Sequence, residues 1–479
     1  MTERSRSPRV VVVGGGISGL AAAHRVLELE PSAEVTLLEG GTRVGGLLST
    51  EHHDGFVIEH GPDAILTEKP WAIDLARRLG LEGEIVRTRP EYGGAYLVVN
   101  GKLERVPDGF SLLAPGRVRA FVRSPVLSPF GKARALMDVA LPRRKALDAD
   151  ESLESFVVRR FGREVFERLA QPLVGGIYGA DPAELSLAST MPRFLDMERQ
   201  HRSLVLALRR KHRAHVNELA SGARYGQFVS FRHGNGTFVD ALAQRLEGRV
   251  RLGAHATSII RTEAGYRVGV RDREPMTADV VVVALPAWAA APVVATLDPS
   301  LGGRLLGIPY GSSAAVVFAW NEADIPHPLD AYGFVVPLVE GRRIMASTWA
   351  SRKWPNRAPD GRALLRVFLG GVGHEHLVDL DDAELARIAR GELRDLLGVR
   401  AEPLLTRVDR YRRAIPHYTL GHRERVLAIE DRVASHPGLF LAGNAYHGVG
   451  IPDSVKSGER AGEDAVLWFA ERARENASR

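Results

Sequence analysis

The chain opens with a polar stretch that gives way at Arg9 to four consecutive valines, Val10 to Val13, and then to glycine. A β-branched run this short, closed by a turn signal, predicts a strand buried on both faces. Gly14-Gly15-Gly16-Ile17-Ser18-Gly19 reads as a tight turn, residues 20–30 as a helix, and residues 35–39 as a second strand ending in Glu39. The same apolar signature returns at Val280 to Val283 and at residues 438–442. Residues 280–297 contain no charge, but Pro286 and Pro292 interrupt them. They therefore predict a buried strand, a turn and a short helix rather than a membrane span. Further strands are expected at 249–252 and 266–270. Residues 454–474 read as a helix, with Gly458, Ala461 and Gly462 spaced for close packing on a neighbour.

Two long segments differ from this pattern. Residues 110–225 are mostly helical and carry a basic stretch, Arg117, Arg119, Arg123, Lys132, Arg134, Arg143, Arg144 and Lys145, within which Asp138 is the single acid. Residues 290–405 alternate strand-like runs (314–320, 332–336, 344–349 and 364–369) with turns and one helix (381–397). That alternation predicts a mixed sheet able to form one wall of a pocket.

Composition narrows the class. A chain of 479 residues with 45% hydrophobic and 25% charged residues is an ordinary globular protein with core enough for roughly three domains. Disorder, collagen and coiled coil are excluded. The absence of cysteine removes disulfide frameworks, thiolate metal sites and cysteine nucleophiles. The formal charge of +6 is mild for this length and fits acidic small molecules or an anionic membrane surface; no nucleic-acid partner is expected. The N-terminal apolar residues run straight into glycines without a cleavage motif, so the reading is a cytoplasmic protein without a signal peptide.

The candidate chemistry begins at the first turn. Gly14, Gly16 and Gly19 occupy the three glycine positions of G-x-G-x-x-G between a strand and a helix, and Glu39 follows twenty residues beyond the last of them. In such a unit the first glycine permits the turn, the second admits a pyrophosphate, the third lets helix and strand pack, and the acid accepts from a ribose hydroxyl. A second glycine-rich stretch, Gly40-Gly41-Thr42-Arg43-Val44-Gly45-Gly46, brings backbone close to the ligand again. It is similar to the arginine–glycine–glycine signature of flavin amine oxidases, which implies FAD. Near the C-terminus, Gly443-Asn444-Ala445-Tyr446-His447-Gly448-Val449-Gly450-Ile451 feeds a helix N-terminus, whose partial positive charge would stabilise an anionic reduced flavin ring.

Three further segments are more specific: Gly175-Gly176-Ile177-Tyr178-Gly179-Ala180-Asp181, Tyr332-Gly333-Phe334-Val335-Val336-Pro337 with Phe368-Leu369-Gly370-Gly371, and the C-terminal glycine loop. With the N-terminal motif they resemble the protoporphyrinogen oxidase family of haem biosynthesis, nearly end to end. The resemblance implies FAD-dependent oxidation of protoporphyrinogen IX to protoporphyrin IX, six electrons in three hydride-type steps with molecular oxygen as acceptor. The alternative within the family is coproporphyrinogen III, with four propionates instead of two. Substrate-pocket positions fall on Gly176, Tyr332, Val335, Thr348 and Phe368. FAD positions fall on Gly14 to Gly19 (including Gly15, Ile17 and Ser18), Glu39, Gly40, Arg43, Gly46, Gly61, Pro62, Asp63, Ala256, Tyr411, Gly443, Val449, Gly450 and Ile451. The expected fold is α/β: a discontinuous Rossmann-like FAD-binding domain (1–90, 226–289 and 406–479), a mixed α+β substrate domain (91–109 and 290–405) and a helical insertion (110–225).

One departure concerns the substrate. Several family members carry an arginine, paired with a propionate, where this chain has Ala95. Arg89, Arg352 and Lys353 are candidate replacements, against the ordinary expectation that such charges are solvated. No catalytic base or metal site is singled out; His60 and His447 adjoin the flavin loops, and His374 and His376 lack a third ligand in a motif. The basic insertion, with Phe110, Leu112, Leu113, Phe121 and Phe130 among its charges, suggests a peripheral contact with anionic membrane. A monomer or homodimer fits equally. A flavin amine oxidase, a carotenoid desaturase and a non-enzymatic flavin scaffold share the terminal motifs and remain the alternatives.

Overall fold

The computed structural model describes residues 7–144, 149–215 and 228–477; Lys145 of the basic stretch and residues 216–225 of the helical segment lie outside the described residues. Two sheets organise the fold. The first is parallel and five-stranded, in the order Val250–Arg251, Glu34–Leu38, Arg9–Val13, Val280–Val283, Leu439–Leu441. The valine runs explain its position. Val10, Val12, Val280 and Val282 point into a core with Leu20, Ala21, Ala22 and Ala23 of the helix Ile17–Leu29. Val11, Val13, Val281 and Val283 point the other way, onto the helix Ala287–Ala295 and an antiparallel three-stranded sheet that includes Gly265–Val270. Strands covered on both faces need no polar alternation.

The C-terminal helix, Ile451–Ala477, begins three residues before its sequence-based start and packs on Ile17–Leu29. A Cβ at Gly458 would strike the Ser18 carbonyl oxygen, and one at Gly462 would lie 2.7 Å from that of Ala22. The small residues thus set the distance between the two helices, as their spacing predicts. The 280–297 segment is also as expected, a buried strand and a helix, and among the described residues no helix is long and apolar enough to cross a membrane.

The second sheet has seven strands, in the order Leu405–Pro416, Tyr310–Asn321, Arg362–Gly370, Ile344–Trp349, Gly333–Val335, Tyr96–Val99, Lys102–Arg105. All pairs are antiparallel except Gly333–Val335 with Tyr96–Val99. Residues 406–416, grouped by sequence with the nucleotide-binding part, form one edge of this sheet. One face is core: Phe318, Trp320, Trp349, Leu365, Val367 and Leu369 pack on Leu385, Ile388, Ala389 and Leu393 of the helix Asp382–Leu397. That helix is capped by Asp381, whose carboxylate accepts from Glu384 N at 2.8 Å, and ends at Gly398 in the left-handed conformation.

The helical segment opens with a short hairpin, Phe110–Ser111 with Ala114–Pro115, that the periodicity does not announce. Its helices include Leu153–Phe161, Gln171–Tyr178, Pro192–His201 and Leu204–His215. Asp138, the lone acid among the basic residues, is fully buried against equally buried Arg160. Its second oxygen accepts from Ser203 Oγ at 2.6 Å and Val205 N at 3.1 Å. The core of this segment also touches Val335 of the large sheet and Val449 of the C-terminal loop, so it packs against both.

Candidate active site

The turns at the C-terminal ends of the parallel strands carry most of the candidate residues, the edge where open α/β sheets bind ligands. The three glycines of the first turn do different work. Gly14 has φ +108°, and a Cβ there would meet the Ala284 carbonyl oxygen at 2.7 Å; Gly19 is pressed against the Gly14 carbonyl. At Gly16 a Cβ would meet no protein atom within 4 Å. Gly16 is also the N-cap of the helix, and no side chain caps it. Unfilled space beside uncapped N–H groups is a cradle for a pyrophosphate.

The second glycine loop folds onto the first. Gly45 N donates to Gly15 O at 2.7 Å, and Gly16 bridges Gly45. Arg43 shapes this loop, donating to the carbonyls of Val44 (3.0 Å), Leu48 (3.2 Å) and Gly46 (2.8 Å). Glu39 accepts from Gly15 N at 2.8 Å and Gly41 N at 2.6 Å. A carboxylate has lone pairs beyond those two, so it can still accept from a ribose hydroxyl. Gly40 lies against the His255 ring, and Ala254 N donates to Glu39 O at 2.8 Å, which places Ala256 just beyond the acid. Gly61 is pressed onto the Leu47 carbonyl, and Pro62 O accepts from Asn235 Nδ2 at 2.8 Å.

At the far end of the chain, Gly443 N donates to Ser457 Oγ at 3.0 Å, and Val449 and Gly450 lead into the helix that begins at Ile451. Tyr418 staples this loop: its hydroxyl donates to Asn444 O at 2.6 Å and accepts from Gly448 N at 2.7 Å. Sequence reasoning missed Tyr418, because nothing local distinguishes it from a core tyrosine. His447, by contrast, is exposed and paired with Glu430 at 2.7 Å.

The electrostatics concentrate where the large sheet meets the Gly61–Asp63 turn. Burial raises the Asp63 carboxyl, but Lys353 Nζ at 3.0 Å from both oxygens and Trp354 Nε1 at 2.9 Å outweigh it and hold the acid below the usual range. Tyr411 donates to His60 O at 2.6 Å and accepts from Arg366; burial pushes its hydroxyl up to about 12. His60 lies between Asp409 (2.8 Å) and Glu51 (3.1 Å), and Asp409 chiefly holds its imidazole above the ordinary value. Both ring nitrogens are thus committed to structural carboxylates.

Val335, Thr348 and Phe368 share the sheet face opposite the Phe318/Trp349 core: Val335 pairs with Ala346, which pairs with Phe368, and Thr348 pairs with Arg366. Gly176 stands on the helix Gln171–Tyr178, and Gly175 and Gly176 line a cleft with Val336, Leu338, Ile344 and Met345. A Cβ at Gly176 would meet nothing within 4 Å. Tyr332 is buried just before the strand, its hydroxyl donating to Arg89 O at 2.7 Å. Of the candidate replacements for an arginine at 95, Lys353 is bound to Asp63, Arg352 to Glu322 at 3.0 Å, and Arg89 to Glu91 at 2.8 Å. Arg366 escaped the sequence reading altogether. Its one available signal was a single charge inside the apolar run from Ala363 to Leu369.

The residues fit FAD: an open cradle at Gly16, an acid at the end of the second strand and the start of the C-terminal helix converge on one edge. Comparison with known proteins agrees. The model of the family described as flavin containing amine oxidoreductase matches residues 17–466. The chain is 36% identical to the coproporphyrinogen III oxidase of Bacillus subtilis (strain 168), over 96% of its length and 98% of the relative's. It is 29% identical to the chloroplastic protoporphyrinogen oxidase of Oryza sativa subsp. japonica, over 93% and 86%. A crystal structure of an Exiguobacterium sp. 255-15 protein described as a protoporphyrinogen oxidase superposes with a TM-score of 0.85 at 31% identity, covering 97% of this chain and 100% of that one. The chain belongs to the flavin-containing amine oxidoreductases, within them to the protoporphyrinogen oxidase family, and is an FAD-dependent oxidoreductase.

Proposed function

We propose that the protein oxidises coproporphyrinogen III to coproporphyrin III, with molecular oxygen as the final acceptor. The observation that carries this reading is the greater likeness to the coproporphyrinogen III oxidase than to the chloroplastic protoporphyrinogen oxidase, 36% against 29% identity. It replaces protoporphyrinogen IX, the first expectation from sequence, as the preferred substrate. Bound FAD supplies hydride acceptance from the substrate's meso carbons: three steps remove six electrons and six hydrogens, and three oxygen molecules leave as peroxide.

The chain's own residues bind and orient. Gly14, Gly16 and Gly19 with Glu39 would hold the dinucleotide; the Gly443–Ile451 loop, braced by Tyr418, would offer helix N–H groups and their partial positive charge to the bound ring. Val335, Thr348 and Phe368 offer a mainly apolar wall for a wide macrocycle, and Gly176 stands on the neighbouring helix with no side chain to fill the space beside it. The meso C–H is already activated by adjoining pyrroles, so orientation rather than a strong base is the protein's contribution. Aerobic turnover of the two porphyrinogens side by side, followed by porphyrin fluorescence, tests the reading. Coproporphyrinogen III should give the larger kcat/KM; a larger value for protoporphyrinogen IX would overturn the assignment.

A peripheral contact with anionic membrane is a second proposal, which keeps Phe130 and drops the buried residues of the same stretch. Phe110, Leu113 and Phe121 are buried, so they cannot contribute. Phe130 is 82% exposed, and Val122, Met137 and Val139 are exposed beside Arg119, Arg123 and Lys132. Exposed apolar side chains interspersed along the chain with cations suit an acidic lipid surface. Co-sedimentation with phosphatidylserine vesicles should be lost in Phe130→Glu; wild-type protein left in the supernatant at low salt would contradict it.

A further inference from the structure

Arg366 is 6% exposed, and its Nε has no hydrogen-bond partner. The guanidinium donates to the Gly61 carbonyl and the Tyr411 hydroxyl and lies 5.0 Å over the Phe368 ring. Among the described residues no carboxylate oxygen lies within ion-pair distance of it, whereas the other deeply buried arginines, Arg160 and Arg357, face Asp138 and Glu59. Asp63 is close enough to feel its charge but is already bound to Lys353. Asp63 and Lys353 neutralise each other, so Arg366 has no carboxylate of its own in contact. A buried charge without a counter-ion is costly, and an anion arriving there relieves the cost.

The sheet register says which anion. Arg366 pairs with Thr348, and Thr348 pairs with Gly333. Phe334 pairs with Tyr96, so the preceding residues, Gly333 and Ala95, stand opposite each other. Ala95, Gly333, Thr348 and Arg366 thus form one lateral row across four strands on the face that carries Phe368. Three strand spacings separate its ends, about 14 Å. The positions between them hold a glycine and a threonine, and neither side chain is bulky. The chain lacks a cation at one end of the row, at Ala95, and has an unpaired one at the other.

We propose that Arg366 binds a carboxylate of the tetrapyrrole substrate, a specificity-determining contact that replaces the one Ala95 cannot make. The assignment rests on the porphyrinogen reading above. A bidentate guanidinium–carboxylate pair would occupy the free Nε and bring Phe368 against the macrocycle that it orients.

The test is fluorescence titration of the FAD-loaded enzyme with coproporphyrin III and with its tetramethyl ester, which keeps the ring and removes the four charges. Arg366→Gln should weaken binding of the acid by about 10- to 100-fold and leave binding of the ester unchanged. Arg366→Lys, which keeps the charge and guards against a folding or FAD-loading defect in the first variant, should fall between. Ala95→Arg added to Arg366→Gln should restore part of the loss by returning a cation to the same row. Equal losses for acid and ester, no loss for either, or a shifted flavin midpoint potential with the acid–ester preference intact would each overturn the proposal. Wild-type enzyme that binds neither porphyrin would instead contradict the porphyrinogen reading, and the Arg366 assignment with it.

Discussion

Gly16 and Gly19 carry the same residue type for opposite reasons. Gly19 is enclosed by the Gly14 carbonyl, whereas Gly16 borders open space. Gly19→Ala should therefore cost about 1–3 kcal/mol of stability through overpacking, measured by urea unfolding of the apoprotein. Gly16→Ala should leave that apoprotein stability within about 0.5 kcal/mol and weaken FAD binding instead. Tyr418 makes a similar point with hydrogen bonds. Tyr418→Phe removes both staples of the 444–448 loop, and FAD binding should weaken about tenfold, read by flavin fluorescence on dilution. The His60 imidazole, raised chiefly by Asp409, gives a pH signature. Its stabilisation is complete below the ordinary histidine value of about 6.5 and is lost as pH rises through the higher folded value. The Tm gap between wild type and His60→Gln should accordingly narrow from pH ~6 to pH ~9.

Whole elements show where sequence reading succeeds and where it stops. The strands Arg9–Val13 and Val280–Val283, the helix Asp382–Leu397 and the C-terminal helix were legible because local pattern alone specifies them: valine runs, a capping aspartate with a terminal glycine, and small residues at helical spacing. The glycine turns were legible for the same reason, since their conformation and clearance dictate the residue type. Arg366 and Tyr418 were not, because their roles come from strand register and from contacts with residues far along the chain. Asp138 is an intermediate case. Its isolation among cations was visible, but its burial was not. Because Arg160 would keep only its 3.5 Å contact with Glu198, a carboxylate it shares with Arg159, Asp138→Ala should destabilise the helical segment by about 3 kcal/mol, seen as a lowered unfolding midpoint by far-ultraviolet circular dichroism.

For the whole molecule, the two sheets divide the labour. The parallel sheet gathers glycine turns from opposite ends of the chain at one edge. The antiparallel sheet presents Val335, Thr348, Arg366 and Phe368 on one face, and the helical segment touches both through Val335 and Val449. The dinucleotide and the macrocycle meet at that junction in this account. Anaerobic mixing of the purified flavoprotein with coproporphyrinogen III tests it most directly. The yellow flavin colour should be lost as porphyrin fluorescence appears, about three flavins reduced for each porphyrin formed. Flavin that stays oxidised with the porphyrinogen yet bleaches with a simple amine would contradict it.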